Sequence, residues 1–383
     1  MTDRRSELML GDVLLGDARI VTPDGVIDRG WLAATEGRIA AVGAGDAPEG
    51  AESLGGDWVL PGFIDLHVHG GGGAAFTEGA TAARTVVDAH RSGGTTSMLA
   101  SVSSASIERL AAQCRDLVPV CESGDIVGIH LEGPFLSAAH RGAHDVRALR
   151  EPDLGALNVI LDAAQGWIRT VTLAPESAGA DEMIAHLDDR GVVVAFGHTS
   201  ASVAEMAAAL SGRQGYITHL FNGMPLIHHR APGGAVAALM DPNCVVEIIN
   251  DGFHVHPDMV RWVFSQARDR VLLVTDAMAA AGLGDGDFVL QGSTIEVRDG
   301  RAWSPGAHSL AGSSITMTDA VRRAVQIGIP ITEASAAGSQ LPAQVLGIDG
   351  DVGSIQIGRR ADLVVLGADL HLERVYRAGR LVG

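Results

Sequence analysis

The sequence predicts an α/β fold: a (β/α)8 barrel of the TIM type, with a small β-sandwich domain built from both chain termini. Three observations predict it. Eight short apolar runs recur through the middle of the chain, separated by polar or helically periodic stretches, the alternation that builds a parallel barrel. Both ends carry short strand-and-turn patterns, and neither end can bury an apolar face alone. The length of 383 residues, with 46% hydrophobic and 19% charged, suits one large barrel plus an accessory domain, or two medium domains.

In chain order, residues 12–21 alternate loosely, Pro23-Asp24-Gly25 is a turn, and residues 31–42 make two strands about Glu36-Gly37. Residues 361–366 and 372–382 repeat this texture around Gly367 and Gly379. The accessory domain is therefore expected from residues 1–57 and 345–383, and the barrel from 58–344. The expected barrel strands are 59–70, 95–102, 125–133, 168–175, 192–198, 216–222, 245–254 and 271–277. Residues 80–91, 106–114, 180–190, 203–211 and 257–268 carry helical periodicity. Residues 288–303 read as a β-hairpin inserted after the eighth strand.

Composition removes several chemistries. All 28 basic residues are arginine, against 46 acidic residues, for a net charge of −18. Without lysine there is no Schiff base, no Walker A or kinase lysine, and no carbamylated lysine to bridge two metals. The negative charge argues against nucleic acid and anionic membranes as partners. Cys114, Cys121 and Cys244 are too few for a disulfide framework and read as reduced core residues of a cytoplasmic protein. Arg4 and Arg5 precede only a short apolar patch broken by Asp12 and Asp17, so no signal peptide is expected, and no run approaches the ~20 residues of a membrane span. The 49 glycines exceed the average usage of about 7% and point to tight turns or backbone close to a ligand.

Barrel active sites gather at the C-terminal strand ends. Here those ends carry His67-Val68-His69, His130-Leu131-Glu132, Glu176, His198, His219, Asn250-Asp251 with His254, and Thr275-Asp276. Residues i and i+2 of a strand face one side, so His67 and His69 can chelate one ion. His198 and His219 can complete a second site with Glu132. Any of these histidines alone reads as a buried structural residue; the ordered set points to a metal. Imidazole with carboxylate suits Zn²⁺, with Fe²⁺, Co²⁺ and Mn²⁺ as further fits. Asp276 is placed to accept a proton from water whose pKa a metal lowers towards ~7. His130 shares the parity of Glu132 and is either a ligand or, preferably, a partner that orients Glu132. His140, His228, His229, His256 and His308 have no assigned role. Residues 70–73, all glycine, lack the P-loop pattern and read as a loop that lets backbone approach a ligand. There is no GxSxG elbow for a serine hydrolase.

The opening strand, Pro61-Gly62-Phe63-Ile64-Asp65-Leu66-His67-Val68-His69-Gly70, resembles that of the amidohydrolase superfamily. Together with His130-Leu131-Glu132-Gly133-Pro134-Phe135, Gly197-His198-Thr199, His219-Leu220-Phe221-Asn222-Gly223-Met224, Asp251-Gly252-Phe253-His254 and Thr275-Asp276-Ala277, it resembles the N-acetylglucosamine-6-phosphate deacetylase family over most of the chain. That resemblance implies hydrolysis of the acetamide of N-acetyl-D-glucosamine 6-phosphate to D-glucosamine 6-phosphate and acetate. The alternatives are N-acetylgalactosamine 6-phosphate or another N-acyl or cyclic amide. It implies Glu132 as the bridging ligand in place of a carbamylated lysine. Because both His67 and His69 are retained, two divalent metals per subunit are expected. It further implies Asp276 as catalytic acid and base, and His144, after Ala143, as hydrogen-bond donor to the oxyanion. Asn222, Gly223, Arg230, Asp251 and His254 are implied around the sugar phosphate, and Leu310, Ala311 and Gly312 around the acetyl group. A homodimer is implied, with some relatives drawing phosphate ligands from the neighbouring subunit.

Overall fold

The apolar runs form one eight-stranded parallel sheet: Phe63–Asp65, Thr95–Ser103, Gly128–Glu132, Ile168–Leu173, Val193–Phe196, Gly215–Ile217, Cys244–Ile249 and Val271–Val274, neighbours in that order. The computed structural model describes residues 13–290, 293–305 and 309–382. Six of these strands are buried along their whole length, which is why they read as unbroken apolar runs rather than as alternations. Closure between the first and eighth strands comes just past their ends, through the parallel bridge of Val68 with Ala277 and the Asp276 N–H donating to the His67 carbonyl at 2.9 Å. This is the expected TIM-type barrel.

The chain divides into two compact units. One comprises Met1–Asp65, His90–Ser97 and Met317–Gly383, the other Leu66–Ala89 and Met98–Thr316. In the first, strands from both termini make one sheet in the order Arg380–Leu381, Leu372–Arg377, Leu363–Leu366, Trp58–Pro61, Val13–Thr22, Gly25–Thr35, Arg38–Ala44. Leu15, Ile20, Leu32, Val59, Leu363, Val365 and Tyr376 share one apolar core there, so the two ends bury each other's faces.

One expected strand is corrected. Residues 59–70 are not a single barrel strand. Trp58–Pro61 pairs antiparallel with Leu363–Leu366 in the terminal sheet, and only Phe63–Asp65 enters the barrel. Pro61 has no N–H to continue a ladder. A Cβ on Gly62 would collide with Thr96, so the crossing requires glycine.

The five expected helices are present as Ala80–Ser92, Ile107–Glu122, Ala180–Asp188, Val203–Leu210 and Pro257–Gln266. Two starts show how: Ser106 accepts from the Arg109 N–H ahead of Ile107–Glu122, and Ser202 with Glu205 forms a capping box ahead of Val203–Leu210. Helices Leu154–Ala163, Gly233–Met240, Met317–Gln326, Ile331–Gly338 and Gln340–Val345 were not expected. Gly233–Met240 opens with two glycines and is apolar nearly all round, which hides its period. The inserted hairpin is a four-stranded antiparallel sheet, Gly286–Leu290, Ser293–Arg298, Arg301–Ser304 and Ser309–Leu310. Met278, Ile295, Val297 and Ala311 pack together beneath it, which carries Leu310 and Ala311 back to the barrel mouth.

Candidate metal centre and active site

Where the parallel ladders end, the chain turns sharply. His198 (φ 47°), His219 (φ 26°) and Asp276 (φ 46°) all lie in the left-handed region. Such backbone costs about 1–3 kcal/mol per residue and persists only where the surroundings enforce it. Three strained residues therefore stand where three site side chains converge.

The convergence is tight. His67 and His69 approach through their Nε2 atoms at 3.1 Å, as do His198 and His219. Glu132 lies between the pairs and meets both, with its Oε1 also 3.4 Å from His67 Nε2. Its Oε1 is 3.2 Å from both His198 and His219, and its Oε2 is 3.2 Å from His69. The carboxylate thus reaches ligand-type nitrogens of both histidine pairs. Asp276 Oδ1 is 3.3 Å from His69 and 3.6 Å from His67. Ligand-type atoms of His67, His69 and Glu132 lie within 4.8 Å of one another, as do those of His67, His219 and Asp276, and those of Glu132, His144 and His198.

The hydrogen bond on the far side of a ring assigns its tautomer where the partner can only accept. His67 Nδ1 faces Glu247 at 3.1 Å, His69 Nδ1 faces the Ser103 hydroxyl at 3.0 Å, and His198 Nδ1 faces the His140 carbonyl at 2.8 Å. A carbonyl or carboxylate there takes the Nδ1 proton and leaves the Nε2 lone pair for a cation. His219 Nδ1 has no hydrogen-bond partner among the described residues. His144 is the reverse: its Nδ1 accepts from the Ser104 N–H at 3.4 Å, so its proton sits on Nε2, 3.3 Å from Glu132. His144 is thus built to donate into the site rather than to ligate. This donor set fits a divalent cation with nitrogen and oxygen ligands.

The charges agree. Burial alone would lower His67 and His69, but Asp276 and Glu132 outweigh it and hold both above the usual imidazole value, His69 at about 9. Burial raises Asp276 and Glu132, yet the surrounding histidines hold Glu132 well down and Asp276 at about 2. Burial lowers His144, which is therefore neutral. The cysteine thiols are pushed up to about 12 by burial and are not nucleophiles.

A pocket of about 280 Å³ opens over this cluster. His69, Glu132, Ala143, His144, His198, His219, Asn222, Gly223, His254, Asp276, Leu310, Ala311 and Gly312 line it, while His67 lies fully buried beneath. Asp251 does not line it. It accepts from His254 Nδ1 at 2.7 Å and from the Phe253 and His254 N–H groups, and so aims the His254 ring. Arg230 is not brought into the pocket; it is exposed, with a guanidinium nitrogen 2.8 Å from His229. Ser103, Gly142, Met278 and Ser309 also line the pocket without having been anticipated.

The expectation for His130 is corrected. It neither ligates nor bonds the Glu132 carboxylate. Its ring nitrogens meet Ser101 at 2.9 Å and Thr172 at 2.8 Å, and its ring packs edge-on against His67 at 4.7 Å. Burial lowers it to about 3, so it is a neutral buttress one layer below the cluster. Of the histidines with no assigned role, His140 supplies the carbonyl to His198, His228 packs on His229, and His256 caps helix Pro257–Gln266. His308 lies outside the described residues.

Three kinds of likeness bear on this site. The Amidohydrolase family model matches residues 58–382. A solved structure of N-acetyl-D-glucosamine-6-phosphate deacetylase from Mycobacterium smegmatis, in complex with N-acetyl-D-glucosamine-6-phosphate, superposes with a TM-score of 0.93 at 40% identity, covering 97% of this chain and 99% of that one. The N-acetylgalactosamine-6-phosphate deacetylase of Escherichia coli O157:H7 is 34% identical over 95% of this chain and 97% of its own length. The N-acetylglucosamine-6-phosphate deacetylase of Bacillus subtilis (strain 168) is 33% identical over 94% of both. With its barrel, its strand-end histidines and these likenesses, the chain belongs to the amidohydrolase family, in the group formed by the N-acetylglucosamine-6-phosphate deacetylases.

Proposed function

We propose that this enzyme hydrolyses the acetamide of N-acetyl-D-glucosamine 6-phosphate to D-glucosamine 6-phosphate and acetate. The observation that carries the reading is the convergence of His67, His69, Glu132, His198, His219 and Asp276 beneath one pocket. The first five would hold two divalent cations, with Zn²⁺ the best fit and Fe²⁺, Co²⁺ or Mn²⁺ further fits. Such cations make hydroxide accessible at neutral pH by lowering the pKa of water to ~7. Asp276, ionised and at the pocket floor, takes the proton from the attacking water and returns it to the departing amine. His144, neutral with its proton on Nε2, donates to the carbonyl oxygen as negative charge develops there. His254, held by Asp251, and the Asn222–Gly223 turn would engage the sugar phosphate. Leu310, Ala311 and Gly312 would enclose the acetyl group. Arg230 is proposed as a phosphate ligand from an exposed loop, a position suited to reaching the site of a second subunit in a homodimer. No helix among the described residues is long and apolar enough to cross a membrane. The buried, unpaired cysteines support a cytoplasmic setting.

A second reading follows from the relative in Escherichia coli O157:H7 named for N-acetylgalactosamine 6-phosphate. The test compares kcat/KM of metal-loaded protein on both phosphosugars and their unphosphorylated forms, alongside metal content of protein purified without chelator. Preference for the galacto epimer would favour the second reading. No loss on removing the phosphate would sink the roles of Arg230 and His254. An active preparation with well under two metals per chain would sink the binuclear site.

A further inference from the structure

Beneath the cluster lies a carboxylate that the reaction outlined above does not use. Glu247 stands in Cys244–Ile249, a strand buried along its whole length, and is itself only 1% exposed. An ionised carboxylate at such depth costs several kcal/mol unless donors surround it, and an apolar side chain of the same size would cost less. Three donors converge on Glu247. Its Oε1 accepts from the Tyr216 hydroxyl at 2.5 Å. Its Oε2 faces His67 Nδ1 at 3.1 Å and accepts from the His219 backbone N–H at 2.9 Å. One oxygen therefore grips both a histidine of the first ligand pair and the main chain of a histidine from the second. The chain enters His219 in strained, left-handed backbone (φ 26°), so a strong acceptor for its N–H matters there.

We propose that Glu247, oriented by Tyr216, is a positioning residue for the metal centre: it holds the His67 proton on Nδ1, leaving Nε2 to ligate, and ties the turn of His219 to the same carboxylate. The inference rests on the metal-centre reading above. A carboxylate behind a ligating imidazole raises its basicity and locks its ring, and losing one typically weakens metal binding about 10–100-fold. Glu247→Gln cannot present two accepting oxygens to three donors. Glu247→Asp keeps the charge but withdraws it by one methylene.

The experiment measures Zn²⁺ affinity and stoichiometry of full-length wild type, E247Q and E247D by competition with a chromophoric chelator, together with thermal unfolding in excess chelator. The expected result is that a variant folded as well as the wild type without metal binds its weaker Zn²⁺ about 10–100-fold less tightly. Y216F, which spares the carboxylate, should lose less than E247Q. Unchanged Zn²⁺ affinity in whichever carboxylate variant folds would overturn the inference, even if its metal-free melting point is lower, because a purely structural role moves only the melting point. A wild type that takes up no Zn²⁺ would sink the metal-centre reading and this inference together. A wild type holding one ion would sink only the binuclear proposal, and Glu247 would be judged by the affinity of that ion.

Discussion

At the scale of single residues, the site works by giving similar side chains different protons. Asp276 is held at about 2 by its histidine neighbours after burial is overcome, and so is a base at neutral pH. Replacing it with asparagine keeps an oxygen facing His69 but removes the proton acceptor. Asp276→Asn should leave folding and metal content largely intact and lower kcat by about 10²–10⁴-fold, the usual contribution of a positioned acid or base. Steady-state kinetics with parallel metal analysis checks this, and near-normal turnover would remove Asp276 from the mechanism. His67, His69, Glu132 and Asp276 were legible in the sequence as a group because position at or just past the end of an apolar run is a local property. The role of Glu247 was not, because its partners His67 and His219 are 180 and 28 residues away. The only local sign was a carboxylate inside an apolar run. His130 shows the limit of parity: sharing a face with Glu132 places a ring in the barrel interior but does not say in which layer.

At the scale of elements, the precision of the site depends on how closely neighbouring strands pack. Gly197 follows Val193–Phe196 and immediately precedes His198. A Cβ at Gly197 would stand 2.7 Å from Thr218 Cβ and 3.2 Å from Thr172 Cγ2, against the pair of threonines whose hydroxyls bond at 2.8 Å. Gly197→Ala should force the fifth and sixth strand ends apart, cost about 1–3 kcal/mol of stability, and weaken metal binding because His198 and His219 move with them. Thermal unfolding of the metal-free protein reads the first effect and chelator competition the second; an unchanged melting point would show that the interior has slack. The barrel strands were legible because burial on both faces makes them continuous apolar runs. The helix Gly233–Met240 was not, since two glycines and an all-round apolar surface erase its period. The first strand was read too long, because pattern alone does not show that Pro61 ends one sheet and Phe63 opens another.

At the scale of the whole molecule, an anionic substrate must approach a protein of net charge −18. Long-range repulsion is screened as the Debye length shrinks from about 30 Å at 0.01 M salt to about 8 Å at 0.15 M. The value of kcat/KM for the phosphosugar should therefore rise over that range, while that for the unphosphorylated sugar should stay nearly flat. A fall with salt for the phosphosugar would mean that local positive potential at the pocket dominates the approach. The lysine-free composition by itself determined that no carbamylated lysine bridges metals here and that any bridge must be a carboxylate. The alternation of runs determined the barrel, and strand-end residues determined which side chains could gather at its mouth. Tertiary structure alone decided that Glu132 meets both histidine pairs, which ring nitrogen of His144 carries the proton, and that Arg230 stands outside the pocket while His254 stands inside. The physical reason is that tautomers, side-chain convergence and pocket lining are set by contacts between strands and loops far apart in the chain. Periodicity and spacing report only on neighbours along it.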